Sequence, residues 1–197
     1  MREMMKLFLV IVIFSSLSGG VLAAIQNATK DRIEYQQLKF VKGPAINEIL
    51  KGCTNNPITD RFKVTDNAEE TTVFVGVFDG KPDVVALESF GKGYGGDIGV
   101  VVGVNIDTDE IVGVEVTTHS ETPGVGSRAK TNASFTEQFE GLPVQDPFKV
   151  KADGGQIDAL SGATISSRGV CGAVVKASER YQRIKKDIAE GVKALRQ

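Results

Sequence analysis

Thr71-Thr72-Val73-Phe74-Val75-Gly76-Val77-Phe78 is β-branched and aromatic, Asp79-Gly80-Lys81-Pro82 breaks it, and Val84-Val85-Ala86-Leu87-Glu88-Ser89-Phe90 returns. A break that short has no room for a crossover helix, so the two runs read as an antiparallel hairpin. The pattern repeats downstream. Ile98 to Ile106 is a second apolar run, Asp107-Thr108-Asp109 turns the chain, and Ile111 to Thr118 completes the pair. Strands come first and helical patterns mostly later, which predicts an α+β domain with helices packed on a twisted antiparallel sheet.

Towards the C-terminus, Thr131 to Phe139 reads as a helix with Phe135 and Phe139 on one face. Pro143 and Pro147 interrupt, and Phe148 to Val150 suggests a short strand. From Ile165 onward, apolar or near-apolar residues recur at Val170, Val174, Ala177, Tyr181, Ile184, Ile188, Val192 and Leu195. Spacings of three and four form a helical stripe. Arg183, Lys185, Lys186, Lys193 and Arg196 crowd its later turns, where positive charge complements the helix dipole.

Towards the N-terminus, Asn55-Asn56-Pro57 is a turn, and Ala45 to Leu50 suggests a short helix ended by Gly52. Residues 26–42 are polar with scattered apolar positions and read as a juxtamembrane helix or linker. Leu7 to Ile25 is uncharged throughout and long enough to span a bilayer core, which takes about 20 residues. Arg2 and Lys6 precede it, so the positive-inside rule keeps the N-terminus in the cytoplasm and exports the rest. A cleaved signal peptide is the competing reading, because Ala23 and Ala24 resemble a cleavage site. Both readings place the domain outside the cytoplasm. The expected organisation is a transmembrane anchor at 1–25, a juxtamembrane segment at 26–52 and a single domain at 53–197.

A formal net charge of −2 gives no electrostatic case for nucleic acid. Cys53 and Cys171 are too few for a disulfide scaffold and lack metal-ligand spacing, and His119 is the single histidine. A Cys53–Cys171 pair is open outside the cytoplasm, although Cys171 also fits as a packing residue of the last helix.

Three stretches carry candidate chemistry. Asp158-Ala159-Leu160-Ser161-Gly162-Ala163-Thr164-Ile165-Ser166-Ser167 sets small and hydroxyl residues at the start of the last helix. The first N–H groups of a helix lack internal partners and its dipole is positive there, so a phosphate is well placed. The same pattern fits a Ser/Thr helix cap after a glycine turn. Gly91-Lys92-Gly93-Tyr94-Gly95-Gly96-Asp97-Ile98 joins the hairpins and fits either a ligand-wrapping loop or a tight structural corner. It lacks the strand-then-helix context of a dinucleotide fingerprint. Thr118-His119-Ser120-Glu121-Thr122-Pro123-Gly124-Val125-Gly126 leaves the fourth predicted strand, a common place for sites. No nucleophile motif or metal partner accompanies His119 and Glu121, so no catalytic acid–base pair is assigned.

These stretches resemble three motifs of the FMN-binding domain family, in the same order and over roughly Thr71 to Lys176. Members of that family include the G subunit of Rnf electron-transport complexes and the C subunit of sodium-pumping NADH:quinone oxidoreductase. Asp158-x-x-Ser161-Gly162-Ala163-Thr164 is similar to the family's flavinylation motif. The resemblance implies that a flavin transferase, reading Asp158, esterifies FMN through its phosphate to Thr164. Ser161, Gly162, Ala163 and Ser166 would surround the attachment, and Ser166 offers a second hydroxyl. The His119-to-Gly126 run resembles the family's His-x-Glu-Thr-Pro-Gly-x-Gly signature, which implies contacts to the flavin ring from His119, Glu121, Thr122, Pro123 and Gly124. Gly93, Tyr94 and Gly95 would wall the pocket. The family also implies partners, namely the other membrane subunits of an Rnf-type complex, and a single-pass position in the cytoplasmic membrane with the domain on the extracytoplasmic face. Two rivals are an exported binding domain without flavin and a stand-alone flavin reductase, for which no pyridine-nucleotide fingerprint is present.

Overall fold

A computed structural model describes residues 2–66 and 69–194, apart from the side chain of Asp31. The chain forms two compact units, 1–39 and 40–197. The first is helical: α1 spans Arg2–Gln37, so the helix runs without a break past residue 25. Its residues Arg2–Lys30 are long and apolar enough to cross a membrane.

The second unit opens with α2, Gly43–Ile49, which starts on Pro44 in the first turn, where the missing N–H costs nothing. Five strands follow: β1 Arg61–Asp66, β2 Glu69–Phe78, β3 Lys81–Lys92, β4 Asp97–Asn105 and β5 Glu110–Thr118. Every neighbouring pair is antiparallel and the spatial order follows the chain order. The predicted hairpins are therefore the middle and far side of a five-stranded meander. Asp79 and Gly80 both take positive φ, as a two-residue hairpin turn that matches strand twist requires. The strand missing from the sequence reading is β1. Its charges at Arg61, Lys63 and Asp66 hide a period-two pattern in which Phe62 and Val64 face the core.

Side chains alternate faces along each strand. Val73, Val75, Val85, Leu87, Ile98, Val100, Val102 and Val104 share one buried cluster with the apolar stripe of α5, Thr164–Ala194. On the opposite face, Ile46 and Leu50 of the α2 region are buried, and Ile49 lies where any side chain at Gly103 would sit. The stripe residues Val170, Val174, Ala177, Tyr181, Ile184, Ile188 and Val192 are all buried. Ile165 is not: it is 47% exposed. Leu195 and Arg196 lie outside the described residues.

Two segments after β5 differ from expectation. Thr131 to Phe139 is not one helix but three single turns, α3 Arg128–Thr131, α4 Ala133–Thr136 and a 3-10 turn Glu137–Phe139. Asn132 breaks the run by taking extended backbone at φ −103° and ψ 95°, a habit of residues whose short polar side chains compete with helical bonding. The face is kept regardless, for Phe135 and Phe139 are buried edge to face at 5.9 Å. Phe148 to Val150 does not form a strand. Val150 makes an isolated parallel bridge to Ile157, and Pro147 supplies no N–H for a ladder before it. Cys53 and Cys171 are free, so the open disulfide reading is not realised.

The last helix is locked to the sheet near its start and again in its later half. Near its start, a side chain at Gly91 of β3 would place Cβ inside the Gly169 carbonyl oxygen and 2.8 Å from Ala173 N. Further along, Arg183 donates two bonds to buried Asp66 at the end of β1. Tyr181 Oη donates to Asp109 at 2.7 Å and Lys185 Nζ lies 2.6 Å from the same carboxylate, which fixes the β4–β5 turn. Replacing Gly91 with Ala should therefore push helix from sheet and cost about 1–3 kcal/mol. A lower urea midpoint for the purified variant, with an unchanged slope, checks this.

Candidate functional site

An antiparallel meander returns to the same end of the sheet at every second connection. The β3–β4 turn (Gly93 to Gly96) and the exit of β5 at Thr118 meet at one end, since Gly99 pairs with Thr118 and Lys92 with Asp97. The Gly91–Gly169 contact brings the first turns of α5 to that end as well. All three sequence stretches converge there around a cavity of about 430 Å³. Its wall contains Tyr94, Glu121, Thr122, Gly162, Ala163, Thr164 and Ser166.

Glu121 holds the three stretches together. It is only 5% exposed. Its Oε1 accepts from Gly95 N–H at 2.7 Å, and its Oε2 accepts from the Ser166 hydroxyl. Burial on its own would raise this carboxyl. The Ser166 hydroxyl, the N–H groups of Gly95 and Tyr94, and His119 outweigh burial and hold it below the ordinary range. Room for the carboxylate comes from two glycines: a Cβ at Gly93 would fall 2.5 Å from Oε1, and one at Gly126 would fall 2.8 Å from Oε2. His119 Nδ1 accepts the Glu121 N–H at 3.3 Å.

The helix start is built without a side-chain cap from the residues before it. Gly162 turns the chain at φ +76° and Ala163 N–H bonds Leu160 carbonyl at 2.9 Å. The first bond of the helical pattern runs from Ser167 N–H to Ala163 carbonyl at 3.0 Å, so the N–H groups of Thr164, Ile165 and Ser166 precede it. Ser167, fully buried, donates its hydroxyl to Ala163 carbonyl and accepts the Leu160 N–H, each at 3.0 Å. Among the described residues, the hydroxyls of Ser161 and Thr164 do neither. Ser/Thr capping is therefore not the reason these residues stand here: the serine that orders the turn is Ser167, and it works from within the helix.

Some candidates lie beside the cavity rather than in its wall. Pro123 and Gly124 turn the loop, with Gly124 N–H bonded to Ser127 Oγ at 2.9 Å. His119, Gly93 and Ser161 are likewise not among the lining residues. Asp158 is exposed, pairs with Lys151 at 2.6 Å, and is held by Gln138, which accepts its N–H at 2.7 Å. Sequence reasoning assigned no role to Val125, Gly126 and Ile165, which stand in the wall, nor to Arg128. Arg128 bonds the carbonyl oxygens of Val125 and Ser161, bridging two of the stretches. Ile165 carried a usable signal, since an apolar residue at the first turn of a helix beside hydroxyls need not face the core. Together Tyr94 (72% exposed), Val125 and Ile165 give the cavity an exposed apolar rim.

Residues 93–179 match the family model described as FMN-binding domain, which sets the class of domain. Similarity then extends along most of the chain. It is 35% identical over 175 residues to the G subunit of the ion-translocating oxidoreductase complex of Erwinia tasmaniensis, covering 83% of each chain. Against the corresponding G subunit of Methanosarcina acetivorans it is 34% identical over 176 residues, 88% of this chain and 92% of the relative. The chain belongs to the FMN-binding domain family. Among solved structures, Shewanella oneidensis NqrC superposes with a TM-score of 0.51 at 26% identity, covering 71% of this chain and 72% of that one. The C subunit of the Na(+)-translocating NADH-quinone reductase of Parabacteroides distasonis gives 0.55 at 22% identity over 83% and 96%, a likeness of fold.

Thiol chemistry has no part in this site. Cys171 sits in the core, where burial pushes its thiol up to about 12. Under native conditions at neutral pH a thiol reagent should label Cys53 and spare Cys171, with the second equivalent reacting only in denaturant. Mass mapping of the labelled peptides checks this.

Proposed function

We propose that this protein is a membrane-anchored flavoprotein subunit of an ion-translocating electron-transfer complex, and that it carries FMN as a phosphoester on Thr164. The observation that carries the reading is the convergence of three family motifs on one cavity at the N-terminus of α5. The relatives are named as G subunits of an ion-translocating oxidoreductase complex, which supplies the setting of a multi-subunit assembly. FMN, when bound, supplies the redox chemistry, and the chain supplies attachment, position and electrostatics.

The residues present fit the group. Three N–H groups ahead of the first helical bond suit a phosphate. The apolar rim of Tyr94, Val125 and Ile165 suits the edge of a flat aromatic ring. Two hydroxyls compete for the ester, and their surroundings separate them. Ser166 is 2% exposed and donates to Glu121, whereas Thr164 is half-buried on the cavity wall with no hydrogen bond from its hydroxyl among the described residues. Thr164 is the acceptor left available.

Asp158 and α1 complete the reading. The Asp158–Lys151 pair is exposed on both sides and contributes about 0–1 kcal/mol. A flavin transferase therefore breaks it at little cost when it reads Asp158. Residues 2–30 of α1 serve as the single-pass anchor, with the domain on the extracytoplasmic face.

Two experiments test this. Co-expressed with its flavin transferase, the protein should fluoresce as flavin in a denaturing gel. Thr164→Val should abolish the signal, Ser166→Ala should keep it, and Asp158→Ala should weaken it. Fluorescence that survives Thr164→Val and disappears only with Ser166→Ala would move the ester to Ser166. Separately, alkaline carbonate should leave the full-length chain in the membrane pellet, and recovery of a soluble form starting near Ala24 would replace the anchor with a signal peptide.

A further inference from the structure

Among the described residues, Glu121 is the only acid in the cavity wall, and its position is unusual for a ligand contact. Both of its oxygens already accept bonds from the protein, from Gly95 N–H and the Ser166 hydroxyl. Any side chain at Gly93 or Gly126 would crowd these oxygens, so the glycines keep the carboxylate's place clear. Its hydrogen-bond partners are N–H and hydroxyl groups rather than a lysine or arginine, and His119 is the neighbour whose charge, when protonated, acts on it. A polar contact would have been served equally by a neutral glutamine. What distinguishes glutamate here is the charge itself.

We infer that Glu121 sets the redox potential of the flavin, acting as a fixed negative charge in the cavity wall rather than as a hydrogen-bond partner of the ring. The inference rests on the reading that FMN occupies this cavity. Two electrons and one proton convert the oxidised ring to its anionic dihydro form, and a second proton makes that form neutral. Electrons arriving beside a fixed anion in a poorly solvated wall raise the energy of the reduced ring. The midpoint is thereby lowered, and proton uptake on reduction is favoured because it removes the like charge. Glu121 is a positioning residue for the loops and an electrostatic one for the flavin.

The test is a spectroelectrochemical titration of the full chain, flavinylated by co-expression and purified in detergent. Glu121→Gln keeps the geometry, since its amide oxygen accepts from Gly95 and its amide nitrogen donates to the Ser166 hydroxyl, but it removes the charge. Ser166→Ala removes one bond and keeps the charge. The midpoint should rise in Glu121→Gln by clearly more than it moves in Ser166→Ala, with in-gel flavin fluorescence retained in both. An unmoved midpoint in flavinylated Glu121→Gln overturns the inference. So does an equal shift in both variants, which would point to loosened loops. Should Glu121→Gln fail to fold, Ile165→Lys on the exposed rim decides: a cation on the same wall must raise the midpoint, and no change refutes control by wall charge. A parent protein that carries no flavin would instead refute the reading beneath, and that result shows directly in the gel.

Discussion

A buried carboxylate is the constraint on which this site depends. An ionised acid removed from water costs several kcal/mol unless donors surround it. Glu121 meets that demand by drawing donors from the β3–β4 loop and from the first turn of α5, while itself standing on the β5 exit loop. Three segments far apart in sequence are thus obliged to meet. The cost of leaving Glu121 unpaired works as a specification: any arrangement that separates the loops strands a charge. Hydrogen bonds to a charged group contribute about 1.5–3 kcal/mol each, so two of them offset much of the entropy lost in ordering the glycine loops.

That clasp works only because the larger fold delivers the segments to within reach. The meander topology brings the β3–β4 turn and the β5 exit to one end, but it does not say where a helix begins. Gly91 and Gly169 do. Backbone against backbone, they set the height of α5 over β3 with no side chain to absorb an error. The far half of the helix is held by Tyr181, Arg183 and Lys185 on Asp109 and Asp66. A helix pinned at two such points cannot slide, and the N–H groups of its first turn keep a fixed relation to the cavity.

Much of this was legible in the sequence, and what escaped follows a physical pattern. Hairpins announced themselves because β-branched runs and short turns are local signals. The last helix did so because its stripe is long. β1 was hidden by charges that suit an edge strand, and the α3–α4 region kept the face of a helix while Asn132 broke its backbone. The three site stretches were readable as motifs, yet their roles were not. Nothing local distinguishes a glutamate aimed at a ligand from one aimed at Gly95 N–H, nor Ser166, which is spoken for, from Thr164, which is not. Arg128 was invisible because its partners are backbone carbonyls of other segments.

The shape of the site also bears on why a covalent bond belongs in the proposed function. The rim is open enough to leave Tyr94 largely in solvent. Contacts between an exposed phosphate and a helix end contribute about 0.3–1 kcal/mol each. Three such N–H groups reach roughly 1–3 kcal/mol, short of the roughly 4.1 kcal/mol that corresponds to even millimolar binding. In the proposed function, a deeper cavity would raise affinity, but it would also bury the ring edge that a neighbouring redox centre would have to approach. An ester separates the two demands. In the proposed function, retention would pass to the bond at Thr164, and the cavity would be left to set geometry and charge.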